Sequence, residues 1–175
     1  MVDLFMRRHI LAHLITCHRN SATVKSTMKK VTYGHLDIIS RASAHFDEVV
    51  VAVFINSTKQ SLFSVEERIQ MIKETTKDLK NVKVDSWSGL TVEYCKRNDI
   101  DVITKGLRAV SDFDYELQQA QVNLQAGVDT MFMATDPAHS FLSSSLVKEL
   151  AKYNGDISKM VPPSVQEALS KKVAG

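Results

Sequence analysis

The sequence predicts an α/β protein whose core is a parallel β-sheet flanked by helices. Segments with strand character and segments with helix character alternate from residue 31 onward. The strongest strand segment, residues 48–55, is a continuous run of mostly β-branched residues after its first position. Strands buried on both faces have such uninterrupted apolar runs, and alternation with helices is typical of βαβ units. We therefore expect helices on both sides of the sheet.

The elements before residue 85 follow this alternation. A helical run at residues 36–46 precedes the strand at residues 48–55. The next helix begins at a capping box, in which the Ser64 hydroxyl accepts from the backbone and the Glu67 carboxylate reaches back to the serine amide. A short strand is expected at residues 82–84.

The elements after residue 85 continue the pattern. A proline at the first helical position costs nothing, because its missing N–H has no partner there, so Pro162 and Pro163 indicate the start of a last helix. The other expected elements are a helix at 92–97, a strand at 101–104, a helix at 113–124, a strand at 130–134 and a helix at 144–153.

Composition excludes several classes of protein. The chain has 175 residues, the size of one domain, with 44% hydrophobic and 24% charged residues. This balance excludes collagen-like, disordered and membrane-embedded chains, and no apolar run approaches the ~18 residues that span a bilayer. Two cysteines, Cys17 and Cys95, are too few for a disulfide scaffold, which favours a reducing, cytoplasmic location.

The charge of the chain is unevenly distributed. Residues 1–30 carry +5 and the remainder −3, for a net charge of +2. We therefore expect a basic leader at residues 1–24 followed by a domain at residues 25–175.

Ligands of parallel sheets bind at the carboxyl ends of the strands, and two candidate motifs lie in such loops or at helix starts. Gly34 and His35 begin a helix, where N–H groups, the positive end of the helix dipole and an imidazole can together bind a phosphate. The alternative is that His35 only caps the helix. Lys59 follows the strongest strand and can reach an anion; the alternative is a solvated lysine.

Two further motifs have the same placement. Lys105 and Arg108 flank a glycine after the strand expected at residues 101–104, and Glu116 follows on the next helix. Serines at positions 140 and 143–145 precede a helix, where their hydroxyls can bind phosphate oxygens; the alternative is a loop-forming serine cluster. The glycine-rich fingerprints of P-loop and dinucleotide-binding proteins are absent from the sequence.

Together and in this order, these motifs resemble those of the phosphopantetheine adenylyltransferases, bacterial nucleotidyltransferases of coenzyme A biosynthesis. The resemblance runs from residue 31 to about residue 169. It implies a single Rossmann-like domain with a five-stranded parallel sheet. It also implies adenylyl transfer from ATP to 4′-phosphopantetheine, giving dephospho-CoA and pyrophosphate, with Mg²⁺ required. Binding of CoA, a cytoplasmic homohexamer and no membrane association are implied as well.

The resemblance implies roles for individual residues. His35, Lys59 and Arg108 would be catalytic, with His35 stabilising the transition state and Lys59 holding the phosphate of the acceptor. No protein ligand for a metal is implied. The residues implied to bind ATP are Thr27, Met28, His35, Gly106, Leu107, Arg108, Glu116, His139, Ser140, Phe141, Leu142, Ser143, Ser144 and Ser145. The residues implied to bind the acceptor are Thr27, Lys59, Thr91 and Lys105.

The chain departs from the family pattern at residues 25–30. The family has Pro-Gly-(Ser/Thr)-Phe-Asp-Pro there, and of this motif only Thr27 is present; Lys29 reverses the charge of the aspartate. Residues 21–24 can still form a central first strand. The departure defines the main alternative function, a relative that binds ATP or CoA with impaired turnover.

Three interpretations of residues 1–30 stay open: an altered or misread start, an appended basic segment, or a metal site. A basic segment would contact nucleic acid or anionic lipid, which defines a further alternative function, although the rest of the chain is acidic. A related transferase with another acceptor, such as nicotinamide mononucleotide, is also an alternative. The metal site would use His9, His13, Cys17 and His18.

Overall fold

The structure is a computed structural model that describes residues 21–26, 31–55 and 61–174. Its strands are β1 (Ser21–Ser26), β2 (Glu48–Phe54), β3 (Val82–Trp87), β4 (Val102–Leu107) and β5 (Asp129–Ala134). Its helices are α1 (Tyr33–Ser43), α2 (Val65–Thr75), α3 (Thr91–Arg97), α4 (Val110–Gln125), α5 (Ser144–Lys152) and α6 (Pro163–Ala174), with a 3₁₀ turn at Pro137–His139.

The five strands form one parallel sheet in the order β3-β2-β1-β4-β5. The strand β1 is central and pairs with β2 on one side and β4 on the other. The chain builds outward from β1 to β3 and then returns to β4, so the winding direction reverses between β1 and β4. Such a reversal leaves a crevice at the carboxyl ends of the strands, where ligands bind. The predicted α/β class and five-stranded Rossmann-like sheet are confirmed.

The burial of β2 on both faces explains why its sequence is an uninterrupted apolar run. Val49, Val51 and Val53 face a core that includes buried residues of α1, α2, α5 and α6. The alternate residues Val50, Ala52 and Phe54 face a second core that includes buried residues of α3 and β4. Because helices cover both faces, neither set of side chains can be polar.

The first strand of the sheet lies where the sequence allows one. The strand expected at residues 21–24 is present and continues through Lys25 and Ser26, which pair with Ala52 and Val53 of β2. It therefore crosses the boundary expected between residues 24 and 25. The division of the chain into a leader and a domain stays a prediction.

The strand β4 is longer than predicted. The sequence placed its end at Thr104, but pairing with β5 continues to Leu107, so Lys105 and Gly106 lie within the strand rather than after it. Glycine is unfavourable in strands, which is why the sequence indicated an end here. The position nevertheless favours glycine, because a Cβ on Gly106 would lie 2.8 Å from Cγ1 of Ile38, where α1 crosses the sheet.

Several other boundaries differ from those predicted. The strand expected at residues 82–84 extends to Trp87, because β2 pairs with it over its whole length. The helix α1 begins at Tyr33, three residues before the predicted start, and α4 begins at Val110 rather than at Phe113. In both helices the additional residues at the start include few apolar residues with helical spacing, so hydrophobic periodicity did not indicate them. Within the described residues, no helix is long and apolar enough to cross a membrane.

Candidate active site

His35 lies in the first turn of α1 and takes part in capping that helix. The N-cap residue Thr32 is extended, and its backbone N–H donates to Nδ1 of His35 at 3.2 Å. The Thr32 hydroxyl lies 2.7 Å from the same nitrogen. A neutral imidazole that accepts at Nδ1 carries its proton on Nε2. The capping interaction therefore leaves Nε2–H as the hydrogen-bond donor of His35.

The surroundings of His35 keep the imidazole neutral. Burial of the ring, and secondly the positive charge of Arg108, lower the pKa of His35 to about 4. At neutral pH the side chain is thus an uncharged donor rather than an imidazolium. The predicted alternative of a capping histidine and the predicted catalytic role are compatible here, since capping uses Nδ1 and leaves Nε2 available.

Lys105 is buried on the face of β4 that contacts α4. Its ammonium pairs with the carboxylate of Glu116 and donates to Oε1 of Gln119 at 2.9 Å. Only 8% of the lysine side chain is exposed, and a buried ammonium requires partners of this kind. Gln119 was not predicted as part of the site. Its position three residues after Glu116, on the same side of α4, is the sequence signal that identifies it.

Arg108 joins the end of β4 to two other segments. Its Nε and Nη2 donate to the two carboxylate oxygens of Asp112 at 3.1 and 3.2 Å. Its Nη1 donates to the carbonyl oxygen of Leu142 at 3.1 Å, in the loop before α5. Asp112 was not among the predicted site residues; the pair forms because α4 begins earlier than predicted, which places this carboxylate in the first turn of the helix, just after Arg108. The guanidinium therefore fixes the loop before α5 to the end of the sheet. This loop contains Ser140 and Ser143 and is called the serine-containing loop below.

Only some of the serine hydroxyls in and after the serine-containing loop form ordinary local hydrogen bonds, such as the N-cap of α5. Ser143 is the N-cap of α5 and its Oγ accepts from the Leu146 amide at 3.1 Å. The Ser140 hydroxyl donates to the Pro137 carbonyl oxygen at 3.0 Å. Ser144 and Ser145 lie in the first turn of α5, where backbone N–H groups point away from the helix. A capping role thus accounts for Ser143 and not for the serines after it.

The segment before that loop lies against the start of α1. The ring of His139 stacks on Tyr33, with a centroid separation of 5.9 Å. A Cβ placed on Gly34 would lie 3.5 Å from the His139 carbonyl oxygen. Nδ1 of His139 is buried without a hydrogen-bond partner among the described residues. A buried polar atom in this state lacks the partner that such atoms usually have.

The remaining predicted residues differ in how they are placed. Thr91 is the buried first residue of α3, beyond the carboxyl end of β3, and within the described ranges no hydrogen bond joins it to His35. Phe141 is 57% exposed, whereas Leu142 is buried. Three predicted residues lie outside the described part of the chain: Thr27, Met28 and Lys59. The histidines and Cys17 of the leader also lie outside it.

Possible metal ligands are sparse in the described ranges. No group of three or more His, Cys, Asp or Glu residues is arranged to hold a metal ion there. The carboxylates of Asp112 and Glu116, both on α4, are each paired with a cationic side chain.

The fold and the site together define the class of the protein. A cytidylyltransferase-like family model matches residues 27–150. Among solved structures, a Vibrio parahaemolyticus protein assigned as a nicotinate-nucleotide adenylyltransferase superposes with a TM-score of 0.65 and 18% identity, covering 87% of this chain and 99% of that one. A lipopolysaccharide core biosynthesis protein from Thermoplasma volcanium has a TM-score of 0.51 and 20% identity, covering 68% and 98%. The fold is that of the nucleotidyltransferases.

Two curated relatives narrow the class to a family. The phosphopantetheine adenylyltransferase of Streptomyces coelicolor is 54% identical over 153 residues, covering 87% of this chain and 96% of the relative. That of Thermobifida fusca is 52% identical over 145 residues, covering 82% and 88%. The chain belongs to the phosphopantetheine adenylyltransferase family, which confirms the resemblance. The alternative of a binding protein with impaired turnover is not favoured.

Proposed function

We propose that this protein transfers the adenylyl group of ATP to the phosphate of 4′-phosphopantetheine, giving dephospho-CoA and pyrophosphate. A phosphate oxygen of the acceptor forms a bond to the α-phosphorus of ATP. The bond from that phosphorus to the oxygen bridging to the β-phosphate breaks, and pyrophosphate leaves with the electron pair. The attacking oxygen is already ionised, so no general base is required. Positioning and charge stabilisation then carry the catalysis.

The observation that carries this proposal is the position of His35 in the first turn of α1, where its Nδ1 accepts from the Thr32 amide. Its imidazole is neutral at physiological pH and holds its proton on Nε2, because the Thr32 amide donates to Nδ1. Such a group donates a hydrogen bond to an oxygen of the α-phosphate without exchanging a proton. It lies at the N-terminus of α1, where the helix dipole also stabilises negative charge.

The nucleotide is proposed to lie between the end of β4 and the start of α5. Arg108 supplies positive charge there, and the first turn of α5 supplies N–H groups and the hydroxyls of Ser144 and Ser145. His139, whose ring stacks on Tyr33 at the start of α1, is a further residue proposed to bind ATP. The other residues proposed to line the ATP site are Gly106, Leu107, Glu116, Ser140, Phe141, Leu142 and Ser143, with Thr27 and Met28 from outside the described ranges.

The acceptor is proposed to lie beside the nucleotide, toward the carboxyl end of β3. Thr91, at the start of α3, would contact the pantetheine arm. Lys59 would hold the phosphate, and Thr27 would contact both substrates. Lys105 would contribute positive charge while it stays paired with Glu116 and Gln119.

Mg²⁺ is proposed to enter as the complex with ATP. Magnesium sites of this kind use substrate phosphates and water together with one or two carboxylates. Here the carboxylates of Asp112 and Glu116 are engaged by Arg108 and Lys105. The donor set therefore does not fit a dedicated metal site on the described residues, and phosphate oxygens and water would be the ligands.

A homo-oligomer, proposed to be a hexamer, would cover the exposed apolar face of α4. Val110, Phe113, Leu117 and Leu124 recur on this helix at intervals of three, four and seven residues, and all are exposed. Met131 on the neighbouring edge strand β5 is exposed as well. Contiguous apolar surface of this kind marks an association face. The cytoplasm is the proposed location, since the two cysteines of the chain are too few for a disulfide scaffold.

The test is an assay of pyrophosphate release with ATP, Mg²⁺ and 4′-phosphopantetheine, with dephospho-CoA identified by mass spectrometry. We expect turnover that requires both substrates. His35→Ala should lower kcat by roughly 10²- to 10³-fold, because it removes the proposed donor to the transition state. The control is His45→Ala, at an exposed histidine just after α1. Turnover with nicotinamide mononucleotide but not with 4′-phosphopantetheine would overturn the proposed acceptor.

A further inference from the structure

Asp37 and Arg41, which follow His35 on α1, form an ion pair. Both side chains also form hydrogen bonds with the backbone at the end of β5 or just after it. Oδ2 of Asp37 accepts from Nη1 of Arg41 at 3.3 Å. The same oxygen accepts from the backbone N–H of Asp136 at 3.2 Å. Nη1 of Arg41 donates in addition to the carbonyl oxygen of Ala134, the last residue of β5, at 2.6 Å.

These contacts distinguish the pair from an ordinary surface ion pair. An exposed i,i+4 pair contributes little, because solvent screens it and both side chains lose freedom. Here each partner bonds to a backbone group more than ninety residues away in the sequence. Asp37 is also largely buried, with 16% of its side chain exposed. The pair therefore connects two segments of the fold rather than two turns of one helix.

The backbone held by the pair leads directly to His139. Oδ1 of Asp136 accepts from the Ala138 amide at 2.8 Å and caps the 3₁₀ turn. His139 ends that turn and stacks on Tyr33 at the start of α1. The segment from Ala134 to His139 is thus held against α1 at both of its ends.

We propose that Asp37 and Arg41 are positioning residues for the nucleotide: they fix the segment 134–139 relative to His35 before ATP binds. This inference rests on the proposed function, which assigns His139 and the loop after it to ATP. Neither residue needs to touch the substrate. Their effect is to hold His35, which lies on the same helix, at a fixed position relative to the loop proposed to bind the nucleotide. Holding groups in place in advance lowers the cost of ordering them on binding.

The kinetic test uses Arg41→Met, which keeps the length of the side chain and removes its donors, and Asp37→Asn. We expect the KM for ATP to rise about tenfold, while the KM for 4′-phosphopantetheine and kcat change less than about threefold. Arg41→Lys should restore part of the loss, because an ammonium can still donate to the Ala134 carbonyl. The matched control is Lys171→Met, which removes an exposed i,i+4 pair with Glu167 on α6.

A second measurement is independent of activity. Hydrogen exchange of the Asp136 amide in the free protein should accelerate in Asp37→Asn and stay unchanged in Lys171→Met. The positioning role would be overturned if exchange of the Asp136 amide were unchanged in Asp37→Asn. It would also be overturned if the KM for ATP stayed within twofold of wild type, or if kcat and both KM values worsened by the same factor. Absence of pyrophosphate release by the wild-type protein would instead defeat the proposed function. Faster Asp136 exchange would still support the anchoring of the segment.

Discussion

The backbone amide of Thr32 donates to Nδ1 of His35 at 3.2 Å, and the Thr32 hydroxyl lies 2.7 Å from the same atom. One residue thus both starts α1 and sets which nitrogen of the imidazole carries the proton. The same local geometry, a threonine three residues before a histidine, caps the helix and, in the proposed mechanism, orients the imidazole toward the α-phosphate. A change at Thr32 is therefore expected to affect catalysis more than folding.

Thr32→Val tests this relationship. The substitution keeps the shape of a buried side chain and removes the hydroxyl beside Nδ1. We expect kcat for pyrophosphate release to fall about tenfold, because the orientation of the imidazole is less restricted. The free energy of unfolding should fall by about 1 kcal/mol, because the N-cap hydroxyl is lost while the backbone bond to Nδ1 remains. Thr32→Ser, which keeps the hydroxyl, is the control and should retain most of kcat. Equal activity in Thr32→Val and wild type would contradict the role of the hydroxyl.

The lowered pKa of His35 predicts a specific dependence of stability on pH. The folded protein holds this imidazole neutral down to about pH 4, whereas an unfolded chain protonates it near 6.5. Between these values the unfolded state binds more protons, so stability falls as the pH drops from 6.5 to 4. Above pH 6.5 this group causes no further change.

The measurement is urea unfolding of wild type and His35→Ala across pH 4 to 8. The difference in unfolding free energy between the two proteins should decrease by at most about 3 kcal/mol as the pH falls through the window, since each pKa unit corresponds to ~1.4 kcal/mol. A difference independent of pH would show that the pKa of His35 is not lowered.

The pairing of Lys105 with Glu116 predicts an asymmetric cost of substitution. Glu116→Leu leaves a buried ammonium with Gln119 as its main partner, and should destabilise the protein by about 3 kcal/mol. Lys105→Met leaves a carboxylate that is 28% exposed and should cost less. The double substitution should recover part of the loss in Glu116→Leu. As a control, Glu48→Gln at the exposed pair with Lys83 should cost under about 1 kcal/mol by urea unfolding.

The close approach of α1 to β4 predicts that Gly106 does not accept a side chain. In Gly106→Ala the new Cβ meets Cγ1 of Ile38 at 2.8 Å, so the Ile38 side chain or the helix that carries it has to shift. We expect a loss of about 1 to 3 kcal/mol in thermal or urea unfolding. The double variant Gly106→Ala with Ile38→Ala should lose less unfolding free energy than the sum of the losses in the two single variants, because the smaller side chain leaves room for the new Cβ. Gly34→Ala is the control, since its Cβ would have an ordinary 3.5 Å contact. A Gly106→Ala variant as stable as wild type would argue against this packing.

The candidate site was predicted most accurately where its interactions are local in sequence. The spacing of Thr32 and His35 indicates the capping interaction, and the Ser64–Glu67 capping box is present as predicted. Pairs separated by three or four residues, such as Arg108 with Asp112 at the start of α4, are accessible to the same reasoning. The assigned roles of these residues in binding and catalysis stay predictions.

The sequence alone determined the α/β class, the alternation of the elements and the family, because hydrophobic periodicity, helix caps and motif order are properties of the linear chain. Only the tertiary structure decided that β4 continues through Gly106, that Lys105 is buried against α4, and that Arg41 holds the end of β5. Those features depend on which segments are neighbours in the sheet β3-β2-β1-β4-β5. Partners that are ninety residues apart leave no periodic signal in one sequence, so their contacts appear only when the fold brings them together.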